Sequence, residues 1–203
     1  LIGHLERFNP CIQSITDILE NRLNDFKIKH IVAMRITQFN TRANDVSVVT
    51  DLMIHDIDLA NFFLKSSMKS VQPMNSNVVQ KSYDISTALL TFANNATASL
   101  YANRVAKSPM RQFELYGDRE VFTLDLHKKT VNHTKYATDS NDIVRQAIEQ
   151  VDTKEEDALE IEIKAFIDNI TTRKKHACST DAKEGIEALQ LAELIDSQSI
   201  EKD

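Results

Sequence analysis

Three glycines, Gly3, Gly117 and Gly185, are all that this 203-residue chain contains, and no two of them fall within one loop. Average usage is about 7%, so the shortage is real. A G-x-G-x-x-G dinucleotide loop, a Walker loop and a kinase glycine loop each need clustered glycines, because the backbone must approach phosphate closely. None of these can be built here. The chain must fold without a glycine-lined phosphate cradle.

Other classes fall away on charge and cysteine usage. A formal net charge of -6 argues against nonspecific nucleic-acid binding. No apolar run approaches the ~18 residues of a membrane span, and no signal peptide is visible. Cys11 and Cys178 are too few for a disulfide framework and lack metal-ligand spacing, which points to a reducing, cytoplasmic setting. The sequons at Asn95, Asn132 and Asn169 are then read as chance matches. The chain opens on Leu1 rather than Met, and Leu1-Ile2-Gly3 reads as the tail of a buried strand. The start is therefore expected to be an expression boundary, a non-AUG start or the beginning of a fragment.

Asn9-Pro10 opens a first helix, since Asn is a good N-cap and Pro at the first helical position loses a donor that has no partner. Ile12, Ile15, Leu19 and Leu23 share one face, and the helix is expected to end near Asn24. Residues 30–39 alternate, with Val32, Met34 and Ile36 on one face of a strand. After a polar loop at about 40–47, Thr50 or Asp51 is expected to cap a second helix with Met53, Ile57, Ala60 and Leu64 towards the core. Residues 68–80 read as extended. Residues 83–92 and 97–105 form a hairpin around Asn94-Asn95, and 111–116 and 120–126 a second one around Gly117-Asp118-Arg119. Val131 to Tyr136 adds a short strand, and the acidic stretch 138–157 reads as a loop leading into a helix. Leu159, Ile163, Phe166, Ile167 and Ile170 mark that amphipathic helix. A basic loop, Arg173 to His176, precedes a capping box at Asp181 and Glu184, and the last helix runs to about Ser197.

This order of elements predicts an α+β fold: a mostly antiparallel open sheet with helices on one face. The other face must be solvated or buried against a partner. Tyr101, Phe113, Leu115 and Phe122 are candidates to supply it.

The segment Asp51-Leu52-Met53-Ile54-His55-Asp56-Ile57-Asp58 is the richest in chemistry. On a helix, Asp51 and His55 stand one turn apart, with Asp58 further along the same stripe. Histidine titrates near neutrality and can take and return a proton, and a neighbouring carboxylate can orient it. Three readings stay open on spacing alone: a solvated stripe with Asp51 as cap, a general acid/base pair, or a metal site with Asp58 as third ligand.

Two segments, Gly3-His4-Leu5-Glu6-Arg7-Phe8-Asn9-Pro10 and Asp51 to Asp58, together resemble the Gfo/Idh/MocA oxidoreductases. Glu114-Leu115-Tyr116-Gly117-Asp118-Arg119 resembles that family's strand-turn-strand. Glu162 to Ile167 and Glu187 to Ala192 are similar to its closing helices. The opening looks most like the subgroup that oxidises the 3-hydroxyl of UDP-N-acetylglucosamine-type sugars.

The resemblance implies an N-terminal Rossmann domain that binds NAD or NADP and a C-terminal α+β domain that carries the substrate face and an oligomer-forming sheet. Residues 1–8 would be the last strand of the dinucleotide-binding domain, and 9–203 the substrate-binding and oligomerisation domain. By position, His55 corresponds to the catalytic histidine, as base or part of a relay, and Asp51 to the aspartate that orients it. Arg7 and Asn9 correspond to the junction where substrate and nicotinamide meet; Asp58, on the same stripe as His55, is expected to reach substrate with them. His4 and Glu6 are weaker candidates.

The departures bear on activity. The family's Glu-Lys-Pro motif, whose lysine helps move the alcohol proton, is absent, as is the glycine loop. Ser47 and Asn95 stand where many members have glycine. The expectation is a chain that binds no cofactor tightly alone and turns over only with a missing Rossmann half or upstream polypeptide. It should form a homo-oligomer through its sheet and meet a sugar or nucleotide sugar, but neither nucleic acid nor membrane. The alternative is a non-catalytic remnant serving as a dimerisation or protein-binding module. His127, His133 and His176 read as surface residues, Lys128-Lys129 as a hairpin turn or a phosphate contact, and both cysteines as inert.

Overall fold

The computed structural model describes residues 2–22, 26–40, 45–172 and 176–198. Helix α1 spans Pro10–Glu20, and its entry follows from the expected cap: the Asn9 side chain accepts the Cys11 N–H at 3.1 Å, with Pro10 in the first position. It ends at Glu20; the expected end near Asn24, and Leu23, lie outside the described residues. Strand β1 is His30–Gln38 and helix α2 is Ile54–Leu64. The remaining strands are β2 Met68–Ser76, β3 Ile85–Phe92, β4 Thr97–Ala106, β5 Met110–Tyr116, β6 Glu120–Asp125, β7 Thr130–Thr138 and β8 Val144–Val151. Helices α3, Ala158–Thr172, and α4, Ala182–Ser197, follow, the latter behind the expected Asp181/Glu184 capping box.

All eight strands form one open sheet in the order β2-β3-β4-β1-β5-β6-β7-β8. Every neighbouring pair is antiparallel except β1 and β4, which run parallel. One core joins the sheet to α1, α2 and α4: Ile31, Ala33, Leu100, Phe113, Leu115 and Phe122 from the strands meet Ile12, Ile15, Ile57, Leu191 and Ile195 from the helices. Each such large side chain contributes about 1.5–3 kcal/mol by leaving water. The mostly antiparallel sheet with helices on one face is therefore as expected.

Several local expectations are corrected. Phe113, Leu115 and Phe122 lie under the helices at 0% exposure, so of the four proposed residues only Tyr101 is on the other face. Alternation in β1 buries Ile31, Ala33 and Arg35, while Val32, Met34 and Ile36 occupy the half-exposed face. Neither Thr50 nor Asp51 caps α2. Ser47 Oγ accepts the Val49 N–H at 3.1 Å, and Val49–Met53 forms a π-helical turn that runs straight into the helix. The stretch expected to be loop contains β8, whose residues are exposed on both faces except for Val151, so no hydrophobic alternation marks it. Helix α3 keeps the expected apolar stripe but presents it outward: Leu159, Ile163, Phe166, Ile167 and Ile170 are exposed, and Ala165 alone is buried, against Phe8 and Cys178.

Two glycines are explained by close packing. A Cβ on Gly117 would run into the Phe26 ring, and one on Gly185 would meet Ile2 Cδ1 at 2.5 Å. The positive φ of the two hairpins falls instead on Asn95, at 64°, and Arg119, at 55°. Among the described residues, no helix is long and apolar enough to cross a membrane.

Candidate functional site

Residues 2–8, expected as a strand, make a single bridge between Ile2 and Thr180 and then a 3-10 turn, Leu5–Phe8. That turn lies over the end of α2 and delivers Glu6 and Arg7 to opposite sides of it. Its geometry organises two ion-pair networks.

In the first, the Arg7 guanidinium donates to both oxygens of Asp58, at 2.8 and 2.7 Å, and to Glu184 at 3.3 Å. Arg7 also sits 4.8 Å above the Phe62 ring. Arg7 and Asp58 are each 1% exposed. The two residues expected at the substrate thus close on each other, because a buried charge is tolerated only when paired and hydrogen-bonded. Asn9 is spent likewise: its side chain caps α1 and donates to the Leu126 carbonyl at 3.0 Å.

The second network lies beside His55. Arg35, from the buried face of β1, donates to both oxygens of Asp56, at 3.0 and 2.8 Å, and to Glu6 at 2.7 Å. Arg111 stands opposite Arg35 across the β1–β5 pair, with its guanidinium 3.6 Å from Glu6. Glu6 therefore holds together two cations that would otherwise repel across the strands. Burial pushes the Glu6 carboxyl up, but Arg35 and then Arg111 outweigh this and keep it below its usual range.

The His55 imidazole is half-buried at the edge of this cluster. Burial, then the Arg35 charge, lowers its pKa to about 4, with Glu6 pulling the other way. It is a neutral ring at physiological pH, able to accept a proton. Asp51 is not among the charges acting on it. Asp51 lies within the π-helical turn, and burial raises its carboxyl while Arg104 opposes. His55 and Asp51, expected as a pair, therefore have separate electrostatic surroundings, and the charges around His55 are Glu6, Arg35, His4 and Arg111. Arg35, Asp56 and Arg111 escaped the sequence reading. An arginine in phase with Ile31 and Ala33 on a strand was the available signal.

Four buried side-chain atoms have no hydrogen-bond partner among the described residues: His4 Nδ1, His55 Nδ1, Glu162 Oε1 and Thr180 Oγ1. All border the opening segment. Thr180 bridges Ile2, Glu162 Oε1 lies 3.6 Å from where a Gly3 side chain would begin, and His4 and His55 sense each other's charge. His4 Nδ1 stands 3.5 Å from Asp58 Oδ2, at ion-pair distance, and the other three are costly and call for a partner. A groove of about 950 Å³ lies between α1, α2 and α4, lined by Arg7, Leu19, Phe62, Lys65, Glu184 and Leu191; it reaches the first network but not His55. No group of three or more His, Cys, Asp or Glu side chains is placed to hold a metal ion among the described residues. Of the other histidines, His127 is exposed, but His133 is buried: it stacks on Phe122 and bonds Glu120 at 2.8 Å. Cys11 and Cys178 are buried free thiols whose pKa values burial raises to about 12 and about 11.

Residues 24–123 match the model of the GFO/IDH/MocA C-terminal domain. UDP-N-acetylglucosamine 3-dehydrogenase of Acidithiobacillus ferrooxidans is 29% identical over 179 residues, which are 87% of this chain and 55% of that enzyme. Its solved structure superposes with a TM-score of 0.83 at 28% identity, covering 97% of this chain and 61% of the other. A levoglucosan dehydrogenase solved with NADH and L-sorbose shares the fold, at a TM-score of 0.79 and 15% identity, over 96% of this chain and 62% of that one. The chain spans little more than half the length of the curated relative it matches. Sheet order, helix placement and sequence match agree in likening this chain to the C-terminal domain of GFO/IDH/MocA proteins.

Proposed function

We propose that this chain is the substrate-binding and oligomer-forming part of an NAD(P)-dependent oxidoreductase that acts on a secondary hydroxyl of a sugar or nucleotide sugar. His55 takes the hydroxyl proton as hydride leaves the same carbon. The observation that carries the reading is a neutral imidazole with an unpartnered nitrogen beside a fixed cluster of charge. The name of the Acidithiobacillus relative supports the substrate class.

The nicotinamide accepts the hydride and comes from a dinucleotide-binding body, in the same polypeptide or supplied in trans. With three isolated glycines, this chain offers no phosphate cradle of its own. The orphaned atoms of His55, Glu162 and Thr180 and the outward apolar stripe of α3 support docking of that body around residues 2–6. Glu6, Arg35 and Asp56 fix the floor below His55. Arg7, Asn9 and Asp58 act from beneath, as the frame that holds the opening turn against α2, and Asp51 meets substrate only from the rim. The half-exposed outer face of the sheet is the surface for self-association. Two buried free thiols suit a reducing cytoplasm.

The test is turnover of UDP-N-acetylglucosamine with NAD by the chain together with its dinucleotide-binding partner. A folded His55→Ala variant should lose about 100-fold or more in rate; an undiminished rate would remove His55 from catalysis. The alternative reading is a non-catalytic dimerisation or protein-binding module. It would be upheld by a complex of two folded pieces that binds but never reduces NAD.

A further inference from the structure

The two edges of the sheet are treated differently. At one edge, β2 carries Pro73, which offers no N–H, and its pairing slips between Met68 and Ser70; both are devices that blunt an edge. Its Asn75 is also tied to the Ile195 carbonyl of α4 at 2.8 Å. At the other edge, β8 pairs with β7 in unbroken register from Val144 to Val151 and has no proline and no bulge. Seven of its eight residues are exposed, including Val144 and Ile148.

We propose that β8 pairs antiparallel with β8 of a second copy of this chain, about a two-fold axis at Ala147, joining two sheets into one. The five residues Arg145-Gln146-Ala147-Ile148-Glu149 carry opposite charges at their two ends, so on reversal each end meets its complement. Directly opposed residues in an antiparallel pair belong to the same bonding class, so a symmetric dimer centres on a residue and not between two; centring on Gln146 or Ile148 would leave Arg145 and Glu149 without opposite charges across the axis. Centring on Ala147 sets Arg145 against the second copy's Glu149 twice over. Centring on Arg145 or on Glu149 would set like charges together, which is unfavourable. Both charges are available. Among the described residues, Arg145 pairs with Asp139, at 2.8 Å, and Glu149 with Lys135, at 3.2 Å, in surface pairs that exchange partners at little cost. A C2 contact is self-complementary by construction, as this strand is.

The experiment uses the full chain with Ala147→Cys. Directly opposed Cβ atoms lie about 4.5–5.5 Å apart, within disulfide reach after mild air oxidation. Cys11 and Cys178 are buried and stay silent. A covalent dimer should appear on a non-reducing gel. Adding Arg145→Glu should cut its yield about tenfold by opposing like charges twice, and adding Glu149→Arg to that variant should restore it. Absence of the A147C crosslink, a yield that R145E leaves unchanged, or a charge swap that fails to restore it would each overturn the proposal. Association through the outer face alone would give the second of these results, so the two surfaces are told apart.

Discussion

Cation–carboxylate pairs in two regions of this molecule have opposite meaning. Beneath the opening turn, Arg7–Asp58 and Arg35–Asp56 are bidentate and nearly sealed from water. On the β7–β8 hairpin, Arg145–Asp139 and Lys135–Glu149 lie open to solvent. The residue types are alike; burial makes the difference. A sealed pair is obligatory once one partner is present, because removing the other strands a charge in low dielectric. An open pair is replaceable and leaves its charges free to meet a newcomer.

The sharpest way to break this contrast is Asp58→Ala. It should cost about 3 kcal/mol in a urea unfolding titration, because Arg7 remains buried with only its longer contact to Glu184. The double variant Arg7→Met/Asp58→Leu should recover most of that loss. Unchanged stability in D58A would mean that Asp58 faces solvent or ligand after all.

The next effect in size is pH-dependent. Folded His55 takes a proton only near pH 4, whereas unfolded histidine does so near 6.5. Between those values the unfolded state binds more protons, so stability falls as pH falls through that window. His55→Gln should remove about 2 kcal/mol of this slope, a figure reduced to allow for the ring's partial exposure. Parallel pH–stability curves for the two proteins would contradict the site's electrostatics. Asn9→Ala, which loses the α1 cap, should cost about 1 kcal/mol in the same assay. Lys135→Ala, at the open end of the comparison, should change stability by less than about 0.5 kcal/mol.

Legibility in the sequence followed the same divide. Asn9-Pro10 and Asp181/Glu184 were readable because caps are written in adjacent residues. His55 stood out because of what surrounds it in the sequence. Arg35 and Arg111 did not, because their meaning comes from β1 lying beside β5 and both facing Glu6, contacts between distant parts of the chain. The π-helical turn at Val49–Met53 was not readable, because periodicity assumes 3.6 residues per turn. β8 was missed because a strand exposed on both faces has no alternation to read.

The parallel strand β1 has a consequence for how this molecule comes together. The strands β2, β3 and β4 form one antiparallel meander, and β5 to β8 form another. Each can zip locally. Only β1, inserted between β4 and β5, makes them one sheet, and its pairing with β4 spans more than sixty residues of chain, with the loop-closure entropy that entails. Arg35 sits on that inserting strand, and Glu6 and Asp56 wait on either side of it. The ring beside His55 can therefore acquire its charged surroundings only after the two halves have been stitched. The charged surroundings of His55 thus depend on the one seam that joins the two meanders.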